Sequence, residues 1–169
     1  MNSATKITIV MAAFNAERTI QEAIASVLAQ THQNFELVIC DDASTDRTVD
    51  KILELKESRI HLIRMKENGG PGPARDKCIS EALGSWITFL DADDIFLPER
   101  LETLLNIAEK YPSDIIADAI WDCHDTIEGL VPWQTVWPPF KEKKQCTSNL
   151  LTFDFAEYIA HERTLVKPF

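Results

Sequence analysis

The chain has 169 residues, of which 45% are hydrophobic, so it is large enough for one domain with a substantial core. Its formal net charge of −10 excludes the basic surface that phosphate backbones and anionic lipids attract, and we expect no nucleic-acid partner. No apolar run reaches the roughly 20 residues that span a bilayer, and the first residues lack the pattern of a signal peptide, so we predict no membrane span.

The predicted elements alternate between strand and helix along the chain. Apolar, β-branched runs predict strands, and apolar residues at helical spacing predict helices. The predicted strands are 6–12, 35–40, 60–65, 85–90 and 115–121, and the helices between them are 17–28, 48–55, 74–83 and 98–110. Gly84 is the expected stop of the third helix. This order predicts an α/β fold with a mostly parallel central sheet and helices on both faces.

The pattern weakens after Cys123. Residues 125–149 are rich in Trp, Pro and Lys and are interpreted as an irregular segment or additional β structure, whereas 151–161 has helical spacing. The four cysteines form no Cys-x-x-Cys pair, and Cys40 and Cys78 lie in apolar contexts typical of core residues. Reduced thiols of this kind predict a cytoplasmic protein.

Polar or small residues follow four of the predicted strands at the points where the strands end. These loops are 12–15, 41–46, 68–76 and 91–94. Because ligands bind at the carboxyl ends of parallel strands, we predict that the four loops form one ligand site. The chain has neither a G-x-x-x-x-G-K-[ST] phosphate loop nor a G-x-G-x-x-G after the first strand, which argues against an ATPase and an NAD enzyme.

Asp91, Asp93 and Asp94 are the most informative residues of the sequence. They follow the apolar run 86–90, where a buried strand is predicted to end. Neighbouring carboxylates repel one another and lose hydration, and a divalent cation such as Mg²⁺ or Mn²⁺ removes both costs. The pattern therefore predicts a metal-assisted site for a phosphate ester or sugar nucleotide. A solvated acidic turn is the alternative.

The other three loops offer groups that suit a nucleotide. Phe14 has a ring that can stack on a base, although it could equally pack in the core. One carboxylate of Asp41-Asp42 can accept a hydrogen bond from a base imide or a ribose hydroxyl, while 44–46 is typical of a helix start. Arg75 could face a diphosphate, or it could form a surface pair with Asp76 or Glu81.

Two stretches of the chain resemble the nucleotide-binding half of a family 2 glycosyltransferase: ITIVMAAFNAERTIQEAIASVLAQTHQNFELVICDDASTDRT and ENGGPGPARDKCISEALGSWITFLDADDIFLPERL. The resemblance covers about residues 6–110. It implies the GT-A fold, a Rossmann-like three-layer sandwich. It also implies an inverting glycosyltransferase of the hexosyltransferase type, which moves a sugar from a UDP-sugar to an acceptor hydroxyl with Mg²⁺ or Mn²⁺. The implied setting is polysaccharide or glycoconjugate biosynthesis, with a saccharide or lipid-linked saccharide acceptor, in the cytoplasm or at the inner face of the membrane.

The resemblance assigns three residues to the base. Ala12 and Phe14 would contact it, and Asp42 would hydrogen-bond the uracil. Phe14 stands where the family usually has Tyr, and Ala12 stands where a Pro is frequent, so this part of the chain departs from the family pattern.

Four further residues are assigned to the rest of the donor. Asn68 and Arg75 would lie along the nucleotide and sugar, Asp91 would contact ribose or sugar, and Asp93 would coordinate the metal. Asp94 would not contact the donor or the metal itself, but would support the residues that do.

The resemblance weakens in the C-terminal part, and it identifies no catalytic base. The carboxylates that follow Asp94 and could serve are Asp118, Asp122, Asp125, Glu128, Asp154, Glu157 and Glu162. We expect residues 1–122 to form the donor-binding region and 123–169 to be a partial acceptor-side segment of a truncated domain. Weak transfer activity and self-association through an exposed apolar edge are then expected.

Two other classes stay open at this point. A nucleotide-sugar-binding module without turnover fits the same residues. A nucleotidyltransferase also combines an α/β sheet with acidic metal ligands, but no glycine-rich and basic loop follows the first strand to hold a triphosphate.

Overall fold

The computed structural model describes residues 4–111, 115–117, 120–126, 129–136, 145–146, 150–151 and 164–166, and the side chains of residues 4–111 and 116. The chain divides into two compact units, Met1–Ile116 with Thr164–Phe169, and Ala117–Arg163. The first unit contains all of the residues predicted to bind the donor. Among the described residues, no helix has the length and apolar character that a membrane span requires.

The elements follow the predicted order. The strands are β1 Ile7–Ala13, β2 Phe35–Asp41, β3 Ile60–Arg64, β4 Trp86–Phe89, β5 Ile115–Ala117, β6 Ile120–Thr126, β7 Gly129–Val136, β8 Gln145–Cys146, β9 Leu150–Leu151 and β10 Thr164–Val166. The helices are α1 Ile20–Leu28, α2 Thr48–Glu54, α3 Pro71–Ser80 and α4 Arg100–Lys110. The helix predicted over 151–161 falls, apart from Leu151, outside the described residues.

The main sheet has the strand order β3-β2-β1-β4-β10-β5. β1 pairs in parallel with β2 and with β4, and β2 pairs in parallel with β3, whereas β10 runs antiparallel to β4. The predicted α/β fold with a mostly parallel sheet is therefore confirmed. In the second unit, β6 pairs antiparallel with β7, and β8 with β9.

Alternation along β2 shows how the sheet separates two apolar layers. Leu37 and Ile39 belong to a core cluster that also contains Ile24 of α1. Val38 and Cys40 point to the opposite face, where they join a smaller cluster with residues of α3. Helices thus cover both faces of the sheet, as the sequence predicts.

Helix α3 begins and ends three residues earlier than predicted. Pro71 occupies its first turn, where a fixed φ suits the helix and the missing N–H is not needed. The preceding Gly70 has a φ of 86°, a conformation that glycine adopts without steric cost. The helix ends at Ser80 with Glu81 as its C-cap, so the prediction that Gly84 stops it is wrong.

Gly84 is required for a different reason, which is the close approach of two backbones. A Cβ atom at this position would lie 2.5 Å from the Thr8 nitrogen and 2.9 Å from the Ile7 carbonyl carbon. The Gly84 N–H also donates to the Thr8 Oγ1 at 2.9 Å. Because both close atoms belong to the backbone of β1, a side chain here would have to displace the central region of the sheet.

We therefore predict that Gly84→Ala lowers the free energy of unfolding by about 1–3 kcal/mol, the usual cost of overpacking. Gly72→Ala is the matched control, because no atom lies within 4 Å of its ideal Cβ and it stands in α3. Alanine should stabilise that helical position by about 0.5–1 kcal/mol or leave it unchanged. Urea unfolding of both variants measures the difference, and equal stability of the two would contradict the packing argument.

A buried carboxylate of β2 joins the beginning of β1, near Gly84, to the segment before β4. Glu36 accepts hydrogen bonds from the Lys6 Nζ, the Thr8 Oγ1 and the Leu83 N–H, each at 2.6 Å. Burial opposes ionisation of Glu36, but these three donors and the charge of Lys6 outweigh it, so the pKa of Glu36 is lowered. The carboxylate is therefore ionised in the folded protein.

This lowered pKa predicts an acid-dependent loss of stability. Ionised Glu36 stabilises the fold above its usual pKa of 4.5, and that contribution is lost as the pH falls through the lower folded-state pKa. Glu36→Gln should therefore be less stable than the parent at pH 7, with the difference shrinking at acid pH. Urea unfolding at a series of pH values tests this, with the exposed Glu109→Gln as control. A stability difference that does not change with pH would contradict the prediction.

Candidate functional site

The loops predicted to bind a ligand follow strands that lie side by side. β1 lies between β2 and β4, with Ala13 opposite Asp41 and Val10 opposite Phe89. The chain leaves all three strands at the same end of the sheet, because the strands are parallel. The structure therefore brings the loops after β1, β2 and β4 together, and the loop before α3 joins them through the contacts described below.

The loop after β4 presents an acidic cluster. Asp91, Asp93 and Asp94 each offer one carboxylate oxygen such that these atoms all lie within 4.8 Å of one another. The Asp94 N–H donates to the Asp91 carbonyl at 3.1 Å, which closes the turn that brings the side chains together. Asp93 is exposed and the other two are half-buried. Hard oxygen ligands at this spacing fit Mg²⁺ or Mn²⁺.

Arg75 of α3 contacts this cluster. Its Nη2 donates to the Asp91 Oδ1 at 2.7 Å, and the Arg75 side chain is only 14% exposed. The alternative of a surface pair with Glu81 is not observed, since Glu81 binds Lys77 at 3.0 Å instead. A guanidinium at this place reduces the repulsion among the carboxylates.

The segment that follows the acidic cluster is hydrogen-bonded to Ser26 of α1 and to Gln30, which lies just after α1. The Ser26 Oγ accepts the Phe96 N–H at 3.0 Å, and the Gln30 Nε2 donates to the Leu97 carbonyl at 2.7 Å. The Gln30 Oε1 also accepts the Leu101 N–H, at 3.0 Å in the first turn of α4. Both ends of the carboxylate loop are thus fixed, by β4 before it and by α1 after it.

Asp42 links the end of β2 to the loop before α3. Its Oδ1 accepts the Gly69 N–H at 2.8 Å and its Oδ2 accepts the Gly70 N–H at 2.7 Å. The Asn68 Nδ2 donates to the Asp42 carbonyl at 3.3 Å. The residue is 2% exposed, and each of its oxygens keeps a second lone pair for another donor. Sequence reasoning placed Asp42 at the site but did not foresee that it holds this loop.

Phe14 lies outside the core. Its side chain is 49% exposed, so the alternative in which it packs among the core residues is not what the structure shows. Ala12, two residues earlier on β1, is half-buried against the cluster on the α3 face of the sheet. The Asp42 N–H donates to the Ala13 carbonyl at 2.8 Å, which places the loops carrying Phe14 and Asp42 side by side.

A group of polar residues that sequence reasoning did not assign to the site joins the loops after β1 and β2. Asp46 accepts the Glu17 N–H at 3.0 Å and the Thr48 N–H at 2.9 Å, and the Thr48 Oγ1 accepts the Ala16 N–H at 2.8 Å. Burial opposes ionisation of Asp46, and the hydrogen bonds outweigh it, so its pKa is lowered. The segment 44–46 was predicted to start α2, but α2 begins at Thr48 with Arg47 as its N-cap, and 44–46 instead connects the loops after β1 and β2.

The cysteines on this side of the sheet have no catalytic character. Cys40 and Cys78 are fully buried, as the sequence predicts, and burial raises the pKa of Cys78 to about 12. A thiol with such a pKa does not form the thiolate that nucleophilic chemistry needs. The seven carboxylates considered as a catalytic base, from Asp118 to Glu162, have side chains outside those that the structure describes.

Known proteins match both the sequence and the fold. The chain is 42% identical over 104 residues to the UDP-Glc:alpha-D-GlcNAc-diphosphoundecaprenol beta-1,3-glucosyltransferase WfgD of Escherichia coli. It is 39% identical over 112 residues to the succinoglycan biosynthesis protein ExoO of Rhizobium meliloti. These matches cover 62% and 66% of the chain, but only 41% and 32% of the relatives' own lengths. The chain therefore spans less than half of either relative.

The fold is similar to that of a GT-A glycosyltransferase of known structure. The crystal structure of S. aureus TarS 1-349 in complex with UDP-GlcNAc superposes with a TM-score of 0.61 at 30% sequence identity. The match covers 65% of this chain and 33% of the TarS chain. The predicted GT-A fold is confirmed by this likeness.

The family assignment follows from the length of the sequence match. Residues 8–165 match the family described as Glycosyl transferase family 2, and this range includes each of the loops that form the candidate site. The chain belongs to glycosyl transferase family 2.

Proposed function

We propose that this chain carries the donor-binding part of a glycosyltransferase that takes a UDP-sugar together with Mg²⁺ or Mn²⁺. The observation that carries the proposal is the meeting of the acidic cluster with Arg75, at the end of the sheet where Phe14 is exposed. WfgD is named for UDP-Glc, and TarS was crystallised with UDP-GlcNAc. Both names support UDP as the nucleotide of the proposed donor. We assign donor binding to residues 1–122 and an acceptor-side role to 123–169.

The base would bind at the ends of β1 and β2. The exposed ring of Phe14 offers a stacking surface beside the half-buried Ala12. Asp42 offers a free lone pair on a carboxylate that the glycine loop already orients, and a uracil imide N–H is a suitable donor to it. Cytosine and adenine lack that imide, so this pair of residues favours uracil.

The diphosphate and sugar would lie between α3 and the loop after β4. Asp93, the exposed carboxylate of the cluster, would hold the metal, with Asp94 behind it. A bound divalent cation neutralises the diphosphate and makes it a better leaving group. Asp91, oriented by its hydrogen bond from Arg75, would contact the ribose or the sugar, and the exposed Asn68 would lie along the nucleotide.

The acceptor is proposed to be a saccharide or a lipid-linked saccharide. WfgD is named for an acceptor carried on diphosphoundecaprenol, and ExoO is named for the biosynthesis of a polysaccharide. A carboxylate base would take the proton of the acceptor hydroxyl as its oxygen attacks the anomeric carbon of the sugar. The bond from that carbon to the diphosphate would break on the opposite face, releasing UDP with inversion. A lipid-linked acceptor would place the reaction at the inner face of the membrane.

The first test concerns the metal. Asp93→Ala should fold like the parent, because the side chain is exposed, but it should weaken Mn²⁺-dependent UDP binding by at least about tenfold, about 1.4 kcal/mol. Calorimetric titration of UDP with and without Mn²⁺ measures the effect. Asp50→Ala, an exposed carboxylate on α2, is the matched control and should bind like the parent. Equal affinity of Asp93→Ala and the parent for UDP in the presence of Mn²⁺ would contradict the assignment of Asp93 as a metal ligand.

The second test concerns the base. Phe14→Ala should reduce UDP affinity by about 1–3 kcal/mol, the cost of losing one stacking ring, whereas Phe14→Tyr should keep it. Leu53→Ala removes another exposed apolar side chain, on α2, and should have no effect. The parent should also bind UDP more tightly than ADP or CDP in competition titrations. If ADP competes as well as UDP, the base pocket is assigned wrongly.

A further inference from the structure

Asn15 has an unusual backbone conformation at a position that the proposed function does not use. Its φ is 49°, in the left-handed region, which few residues other than glycine adopt. Asparagine tolerates this region better than most residues, because its short side chain can hydrogen-bond locally. The residue directly follows Phe14, and the conformation therefore determines how the chain turns away from the exposed ring.

Three hydrogen bonds fix Asn15 to the loop after β2. Its N–H donates to the Ser44 Oγ at 2.9 Å. Its Oδ1 accepts the Thr45 N–H at 2.9 Å and the Thr45 Oγ1–H at 3.3 Å. These partners lie two and three residues after Asp42, so Asn15 connects the segment that carries Phe14 with the segment that carries Asp42.

The segment around Phe14 is thus held on both sides. Before it, the Ala13 carbonyl accepts the Asp42 N–H at 2.8 Å, and after it Asn15 is fixed by the three bonds just described. Exposing an aromatic ring is unfavourable, and a freely turning loop could bury it. The two attachments fix the backbone on either side of Phe14 beside the loop after β2, so the loop cannot turn freely.

We propose that Asn15 is a positioning residue for nucleobase selection: its left-handed backbone and its side-chain oxygen hold Phe14 and Asp42 at the separation that uracil requires. This inference rests on the proposed function, because it assumes that Phe14 and Asp42 receive the base. Asn15 acts through these two residues. Its replacement should therefore reduce the preference for uracil, and should not affect binding of the metal and diphosphate.

The test compares UDP with CDP, which differ in the base alone. Calorimetric titration in the presence of Mn²⁺ gives the ratio of the CDP and UDP dissociation constants for each variant. Asn15→Ala loses the acceptor and strains the backbone, and should reduce this ratio by about 3–10-fold, the effect of one or two lost hydrogen bonds. Asn15→Gly relieves the strain but lacks the acceptor, and should fall between Asn15→Ala and the parent. Asn15→Asp keeps the side-chain acceptor and also tolerates the left-handed backbone. Its ratio should therefore lie within about twofold of the parent's.

Two controls separate this role from general destabilisation. Asn34→Ala makes the same chemical change in the loop before β2, where the Asn34 Nδ2 donates to the Ala4 carbonyl at 2.9 Å, and it should leave the ratio unchanged. Binding of Mn²⁺ with pyrophosphate should be the same in Asn15→Ala and the parent. Ser44→Ala removes one partner of Asn15 from the other loop and should cause a smaller reduction of the same ratio. This variant replaces Asn15→Ala as the test if Asn15→Ala does not fold.

The possible results distinguish the inference from the function on which it rests. A parent that binds UDP and CDP equally contradicts the base pocket and this inference with it. A parent that prefers UDP, together with Asn15→Ala and Ser44→Ala variants that keep the same preference, contradicts the role of Asn15 alone. An equal loss of UDP and pyrophosphate binding in Asn15→Ala also contradicts it, because the effect would not be specific to the base.

Discussion

The parallel pairing of β1 with β2 on one side and β4 on the other is the constraint on which the site depends. Because the three strands run in the same direction, their loops leave the sheet at one end. Two backbone bonds extend the pairing by one residue into those loops, from the Asp42 N–H to the Ala13 carbonyl and from the Leu90 N–H to the Val10 carbonyl. Phe14, Asp42 and the acidic cluster therefore start from neighbouring positions of one sheet.

Polar side chains convert these neighbouring loops into a fixed arrangement. Asp42 holds the glycines before α3, Asp46 and Asn15 join the loops after β1 and β2, and Arg75 joins α3 to the acidic cluster through Asp91. These bonds hold the loops in place in the absence of a ligand, which reduces the conformational entropy that binding would cost. A preformed site of this kind suits the charged, flexible nucleotide sugar that we propose as its ligand.

The sequence predicted the fold well because strong patterns specify it. Alternating apolar strands and helices were sufficient to predict the parallel sheet. Asp93 lies in the short loop that follows β4, so its place near the end of that strand needed no knowledge of long-range contacts. Gly84 was misinterpreted because its neighbour in space, Thr8, is distant in sequence. The hydrogen bonds by which Asn15 and Asp42 join separate loops were missed for the same reason: their partners lie about thirty residues away, and only the folded structure brings them together.

A crystal structure of the chain with UDP and Mn²⁺ tests the account most directly. We predict that the uracil ring lies against Phe14 with its imide N–H facing Asp42. We also predict that the metal binds both the diphosphate and the carboxylate of Asp93, with Arg75 still contacting Asp91. A nucleotide bound away from the ends of β1, β2 and β4, or a metal bound to the diphosphate without Asp93, would contradict the proposal that these loops form a single donor site.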